Sequence, residues 1–182
     1  MIKNSFFLIF FCLLFSLSAV AQKEAPFSEE MKQEMCNKVK EAAQHAWKGY
    51  KDYAWGADDL KPLTKNSKIW YKTSMLMTPV DAFDTFTLLG LTTEAKEAKD
   101  LILTKLDFNI DNDVQVFEIT IRLLAGLVTA YEMDGDKKFL TLAKDLADRL
   151  MPAFKSKTGM PYRYVHLQTG KTRDSINNPV EI

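Results

Sequence analysis

Cysteine is scarce in this chain. Cys12 and Cys36 are its only two, and Cys12 falls in a segment expected to be removed, so no disulfide can form within what remains and the fold must hold by packing. Cys36 has no partner cysteine for a metal cage and reads as an ordinary helix residue. Histidine is equally sparse, with His45 and His166 alone, and no zinc pattern, nucleotide-binding glycine loop or Ser-His-Asp arrangement can be assembled. The string Thr169-Gly170-Lys171-Thr172 lacks the first glycine of a phosphate loop and sits where a hairpin is expected. A charge excess is missing too. Lys+Arg and Asp+Glu balance at 24 each, which removes the electrostatic reason to expect nucleic acid or an anionic membrane surface as partner.

What is present begins with export. Lys3 opens a positive n-region, Phe6 to Val20 form an apolar run broken only by serines, and Ala19-Val20-Ala21 before Gln22 gives the small-x-small cleavage pattern of a secretory signal peptide. The run is shorter than the ~20 residues that a spanning helix needs, so residues 1–21 are expected to be cleaved, with the chain exported to a periplasmic or extracellular space. Membrane attachment is expected only if that segment is retained. Residues 22–182 form the working domain, and with 47% hydrophobic residues the chain can bury one core.

From Ser28 to about Tyr53 the sequence predicts one amphipathic helix, with Ser28 as N-cap and Glu29 and Glu30 in the first turn. Trp47, Tyr50 and Tyr53 recur every three residues beside His45; a stripe at this spacing is expected in the core rather than in a sugar site. Gly56 and Pro62 end the helix, and a loop runs through Lys65-Asn66-Ser67. Thr78-Pro79 opens the next helix, with Thr78 as cap, which carries Asp81, Asp84 and Thr85 to about Leu89 before Gly90 breaks it. Helices from Thr92 to Leu106, from Asn112 or Asp113 to about Met133, and from Lys137 to about Met151 follow. Gly159 to Leu167 alternates as a strand does, and Thr169-Gly170 turns it toward Lys171-Thr172-Arg173 to make a short β-hairpin. His166, on that hairpin, is expected in solvent and without a role.

Two features of this series point toward function. Ala98-Lys99-Asp100-Leu101 and Ala143-Lys144-Asp145-Leu146 sit about 45 residues apart in the outer helices of successive pairs. A repeat of helix pairs signals a solenoid or a closed α/α toroid, and two pairs with one extra helix are too few to close a ring. The helix from Asp113 is apolar nearly all the way round, which argues for burial on most sides. Yet Glu118 and Arg122 share one of its faces, four residues apart. Charges so placed are either an internal ion pair or the wall of a site. Asp81 and Asp84 are expected on the inner face of the preceding helix. Paired inward carboxylates are what glycoside hydrolysis needs, an acid to protonate the leaving oxygen and a base to activate water.

The motifs His45-Ala46-Trp47-Lys48-Gly49-Tyr50, Tyr53-Ala54-Trp55-Gly56 with Asp59-Leu60-Lys61-Pro62, Val80-Asp81-Ala82-Phe83-Asp84-Thr85, Val116-Phe117-Glu118-Ile119-Thr120-Ile121-Arg122 and Leu150-Met151-Pro152-Ala153-Phe154 together resemble, in order and spacing, the N-terminal part of class I α-mannosidases, glycoside hydrolase family 47. The resemblance implies an all-α, incomplete (α/α)7 toroid of helical-hairpin repeats with a short β-hairpin near the C-terminus. It implies an inverting mannosyl-oligosaccharide α-1,2-mannosidase that removes terminal α-1,2-linked mannose with a calcium ion at the barrel floor. By the resemblance Glu118 is the catalytic acid, Arg122 contacts substrate and neighbouring carboxylates, and Asp84 and Asp59 belong to the substrate-binding surface. Phe83 replaces the family's leucine before Asp84, Ala57 stands where relatives often carry His, and Asp59 where they often carry Glu. The family's remaining catalytic carboxylates and its calcium-binding threonine lie beyond residue 182, so no metal ligand is expected within the chain, and an inactive fragment of the enzyme is implied. The alternative readings are a mannose-glycan-binding toroid without turnover and a helical-repeat scaffold for protein partners.

Overall fold

The structure is a computed structural model that describes residues 27–173; the expected signal peptide and the Asn178–Ile182 end lie outside the described residues. Contacts divide the chain into two units, residues 1–37 and 38–182. In the first, the described residues are the start of helix α1 (Glu29–Ala54). Ser28 caps it as expected, its Oγ accepting from the Met31 amide at 3.1 Å.

In the second unit, α1 ends at Ala54 and Gly56 takes a positive φ of 81°. There follow a hairpin of β1 (Asp59–Lys61) and β2 (Asn66–Lys68), then α2 (Met77–Leu89), α3 (Thr92–Lys105) and β3 (Asp113–Gln115). The next helical stretch is continuous: α4 (Val116–Ile119), a π-helical turn (Thr120–Leu124) and α5 (Ala125–Asp134). Helix α6 (Lys137–Leu150) passes through a 3-10 turn (Met151–Phe154) to β4 (Tyr164–His166) and β5 (Thr172–Arg173). The fold is thus mostly helical with small β-hairpins, and no helix among the described residues is long and apolar enough to cross a membrane.

The repeat is regular. Gly90 (φ 69°) and Gly135 (φ 81°) cap their inner helices in the left-handed conformation, and α3 and α6 start at Thr92 and Lys137, so both landmarks lie 45 residues apart by their numbering. The pairs pack closely. A Cβ on Gly126 would stand 2.7 Å from Val80 Cγ1, so α2 and α5 meet where one helix has no side chain. Phe83 of α2 lies against Phe139 of α6, ring centroids 5.2 Å apart. The second half of α1 joins this core through Trp47, whose ring meets Phe86 edge-on at 4.9 Å and whose Nε1 donates to Glu97 of α3 at 2.7 Å.

Several expectations need correction. Asn66-Ser67 is strand rather than loop, paired with Lys61 and Leu60. Asp113 is not a helix cap: Asp113, Val114 and Gln115 pair with His166, Val165 and Tyr164, and the helix starts at Val116. A three-residue strand is too short to show alternation by itself, and the partner that orders it arrives about fifty residues later. Helix α4–α5 is not buried all round, because Phe117 is 64%, Ile121 51% and Val128 42% exposed. Tyr53 leaves the core that Trp47 and Tyr50 enter: it is 44% exposed, and Ala54 takes the buried position in the last turn. His166 is half-buried, its Nε2 3.2 Å from Asp111 Oδ1 and its Nδ1 accepting from the Thr169 amide at 3.3 Å. The tight Thr169-Gly170 turn folds the backbone over the ring.

Candidate active site

Helix α2 is not capped by Thr78. Its N-cap is Leu76 in the left-handed conformation (φ 55°), without a side-chain bond. The acceptor comes instead from Asp58, the only fully buried charged residue among those described. Asp58 Oδ1 accepts from the amides of Met75 (2.8 Å) and Met77 (3.3 Å) and from Ser74 Oγ (3.2 Å), while Oδ2 accepts from the Trp70 amide at 2.9 Å. Thr78 turns back to the same residue, its Oγ1 donating to the Asp58 carbonyl at 2.6 Å. A carboxylate can be buried when every lone pair is met in this way. One side chain therefore fixes both the start of α2 and the loop that carries Trp70 and Tyr71.

On this frame the predicted pair meets a third partner. Arg122 Nε donates to Glu118 Oε2 at 3.0 Å, and Arg122 Nη1 donates to Asp81 Oδ2 at 2.8 Å, across from the π-helical turn to α2. The guanidinium lies over the Trp70 ring, 5.0 Å from its centroid, a cation–π contact. Trp70 Nε1 in turn donates to Asp59 Oδ2, and Lys68 approaches the same oxygen at 3.8 Å. Arg122 thus ties together side chains from two helical segments and the loop between β2 and α2. All three members of the ion-pair network keep about a third of their side-chain surface open to solvent, so this is not a sealed core pair.

Asp84 stands apart from the bonded network. Its Oδ1 accepts from its own neighbour, the Thr85 amide, at 2.5 Å, and it reaches the cluster only through its charge. Burial pushes Asp81 above the usual carboxylate range; Arg122 pulls it back without cancelling the push, and the charges of Asp84 and Asp59 add to the rise. Burial works against the charge on Arg122, but the Glu118 hydrogen bond and the Asp81 charge outweigh it and raise its pKa. Tyr71 completes the surroundings: burial raises its pKa, the bond it accepts from the Gln115 amide (3.3 Å) lowers it, and the charges of Glu118 and Asp58 raise it again.

Of the predicted site residues, Glu118 and Arg122 bond each other, Asp59 approaches Arg122 only through Trp70, and Asp84 is linked only by its charge, while Asp81 gains the direct bond to Arg122. Sequence reasoning missed Trp70, Tyr71 and Asp58. An adjacent aromatic pair in a segment without helical or strand periodicity was the available signal for the first two. Asp59 also lines a groove of about 1270 Å³ between α1 and the β1–β2 hairpin, with Tyr53, His45, Lys61 and Leu63 among its walls. Arg122 sits within the π-helical turn that follows Glu118, and the Thr120 hydroxyl there donates back to the Val116 carbonyl at 2.7 Å. Such turns recur at functional sites. No group of three His, Cys, Asp or Glu placed to hold a metal ion occurs among the described residues.

A helical-repeat scaffold that presents a carboxylate and an arginine from one helix, with further carboxylates beside them, is suited to acid chemistry on a polar substrate. The sequence profile of glycosyl hydrolase family 47 matches residues 42–181. A mannosyl-oligosaccharide 1,2-alpha-mannosidase of Arabidopsis thaliana is 43% identical over 84% of this chain and 27% of its own length. The endoplasmic reticulum mannosyl-oligosaccharide 1,2-alpha-mannosidase of Rattus norvegicus is 44% identical over 86% and 23% respectively. Among solved structures, the alpha-1,2-mannosidase from Trichoderma reesei superposes with a TM-score of 0.68 at 25% identity, covering 78% of this chain and 32% of that one. The chain belongs to glycosyl hydrolase family 47. It spans about a quarter of the length of the curated relatives that it matches.

Proposed function

We propose that the chain is part of an exported glycosidase, an inverting α-1,2-mannosidase acting on mannose-containing oligosaccharides, and that it supplies the catalytic acid. The observation that carries this reading is the solvent-accessible Glu118–Arg122–Asp81 network in a member of this family. Glu118 is the acid: Arg122 engages Oε2 and fixes the carboxyl plane, while Oε1 has no hydrogen-bond partner among the described residues and is the oxygen free to carry a proton to the glycosidic oxygen. Arg122, held from two sides, orients that carboxyl and offers remaining N–H donors to sugar hydroxyls. Asp59 and Asp84 are acceptors for further hydroxyls, and Asp59 reaches both the Arg122 cluster, through Trp70, and the large groove beside α1.

The (α/α)7 toroid is part of this proposal and is supported by the 45-residue repeat of helix pairs. A calcium ion is part of the same proposal, and the resemblance assigns its threonine ligand to the part of the family's length that this chain does not span. An inverting reaction needs a second carboxylate to activate water on the opposite face of the sugar, and the resemblance assigns that base to the part of the family's length that this chain does not span. The isolated chain is therefore expected to release no mannose. Export is supported by the Lys3, Phe6–Val20 and Ala19-Val20-Ala21 pattern.

The test joins residues 22–182 to the part of a family relative that follows the matched segment and measures mannose release from α-1,2-mannobiose. The fusion should turn over, and Glu118→Gln should lower kcat by about a hundredfold or more, the usual weight of a positioned general acid. Turnover at the parent rate by the Gln variant would remove Glu118 from the mechanism.

A further inference from the structure

The sheet that leads into the helix of Glu118 has two unlike faces. Residues directly opposite one another on neighbouring strands share a face, and successive residues alternate. Val114 and Val165 are fully buried on the core side. The other side therefore carries Gln115, Tyr164 and Arg173 in one row and Asp113 and His166 in the next. There the Tyr164 ring is held by two cations, with the guanidinium carbon of Arg163 5.3 Å and that of Arg173 5.2 Å from its centroid. Arg173 is fixed in turn by Asp113, Nη2 to Oδ2 at 2.7 Å. These contacts account for Arg173 and Asp113 but leave polar groups over. The Tyr164 hydroxyl, the Gln115 carboxamide and the Arg163 guanidinium make no hydrogen bond or ion pair with any described residue, and all three side chains reach solvent.

This face adjoins the acid. The Arg163 carbonyl accepts from the Val116 amide at 2.9 Å, and Glu118 follows after about 3 Å of helix rise. Tyr71 lies near both: burial is the main cause of its raised pKa, and Tyr164 and Glu118 both add to the rise. A glycosidic oxygen placed at Glu118 has one sugar toward Arg122 and the other toward the sheet. In the transition state positive charge develops on the sugar that loses its neighbour. The carboxylates Asp81 and Asp84 gather on the Arg122 side, whereas the sheet offers the unpaired cation of Arg163. The sugar that gains charge therefore belongs with the carboxylates, and the leaving sugar with the sheet. We propose that the outer face of β3, β4 and β5 holds the leaving-group sugar, and that Tyr164, Gln115 and Arg163 determine which glycan is accepted. The hydroxyl and the carboxamide both donate and accept while Arg163 only donates, a set matched to adjacent hydroxyls of a neutral pyranose. The identity of this ligand rests on the glycosidase reading; the position of the unmet polar groups does not.

The experiment records amide NMR spectra of the full chain during titration with α-1,2-mannobiose and, separately, with methyl α-mannoside, which has no second sugar. Mannobiose should shift the Gln115, Arg163, Tyr164 and Arg173 amides saturably, and methyl α-mannoside should leave them in place. Tyr164→Phe, which keeps the ring between its two cations and removes only the hydroxyl, should raise the mannobiose Kd about three- to tenfold, the weight of one neutral hydrogen bond. Lys144→Ala, at an exposed position of α6, should leave that Kd unchanged. No saturable shift at the sheet, equal shifts there with methyl α-mannoside, or the parent Kd in Tyr164→Phe would each overturn the inference. Shifts confined to Glu118 and Arg122 would do the same while leaving the glycosidase reading in place. Shifts at the sheet, together with a fusion that releases no mannose, would sink that reading and keep the sheet as a sugar-binding face.

Discussion

Asp58 orders more of the site than any residue that would touch substrate. Its two oxygens satisfy four donors spread from Trp70 to Met77, so replacing it leaves buried N–H and O–H groups without acceptors, each costing about 1–3 kcal/mol. Asp58→Ala should destabilise the chain by about 3 kcal/mol or more, read as a lower urea midpoint at unchanged m-value; a near-neutral result would mean that water reaches those donors. Asp81 has the opposite relation to stability. Burial raises its native pKa above the unfolded value, so the native state holds the proton more tightly. Its contribution is then fully present below about pH 4 and is lost as pH rises through the raised native value. Unfolding titrations upward from about pH 4 should show the parent losing stability relative to Asp81→Asn, with the two curves parallel once the pH has passed the raised native value. At this scale the sequence showed the Glu118–Arg122 pair, because four-residue spacing on a helix determines who faces whom. It did not show Asp58 or the Asp81 bond, because these join residues through an irregular loop and across two helices.

At the scale of elements, the caps and long periodic segments were legible. Ser28, Gly90 and Gly135 act where their chemistry predicts, and α3 and α6 run where the apolar spacing puts them. The failures have a common cause. β2 and β3 are three residues each, and uniform apolarity in α4–α5 reads the same whether every side is covered or one side awaits a neighbour. The π-helical turn carries no composition signal at all. Gly126 gives the clearest test of how the inner helices meet. Alanine there would gain about 1 kcal/mol of helix propensity, but its Cβ would press on Val80 Cγ1, a β-branched side chain with little freedom to move. Overpacking of this kind costs about 1–3 kcal/mol, so Gly126→Ala should lower Tm, and the Gly126→Ala, Val80→Ala double variant should recover part of the loss.

Across the whole of the larger unit, the repeat of helix pairs was visible in the sequence through its duplicated Ala-Lys-Asp-Leu motif, while the sheet that closes over it was only half visible. β4 and β5 announced themselves by alternation, but their pairing with β3 links Asp113 to His166 and delivers the Arg163 carbonyl to the Val116 amide at 2.9 Å. That amide begins the helix bearing Glu118. A ribosome emits Asp113–Gln115 roughly fifty codons ahead of Tyr164–His166, an interval of about 3–10 s at ordinary elongation rates. Throughout that delay the nascent helix has no strand to anchor its first turn, so the stretch bearing Glu118 is completed only after the ribosome has passed Tyr164–His166.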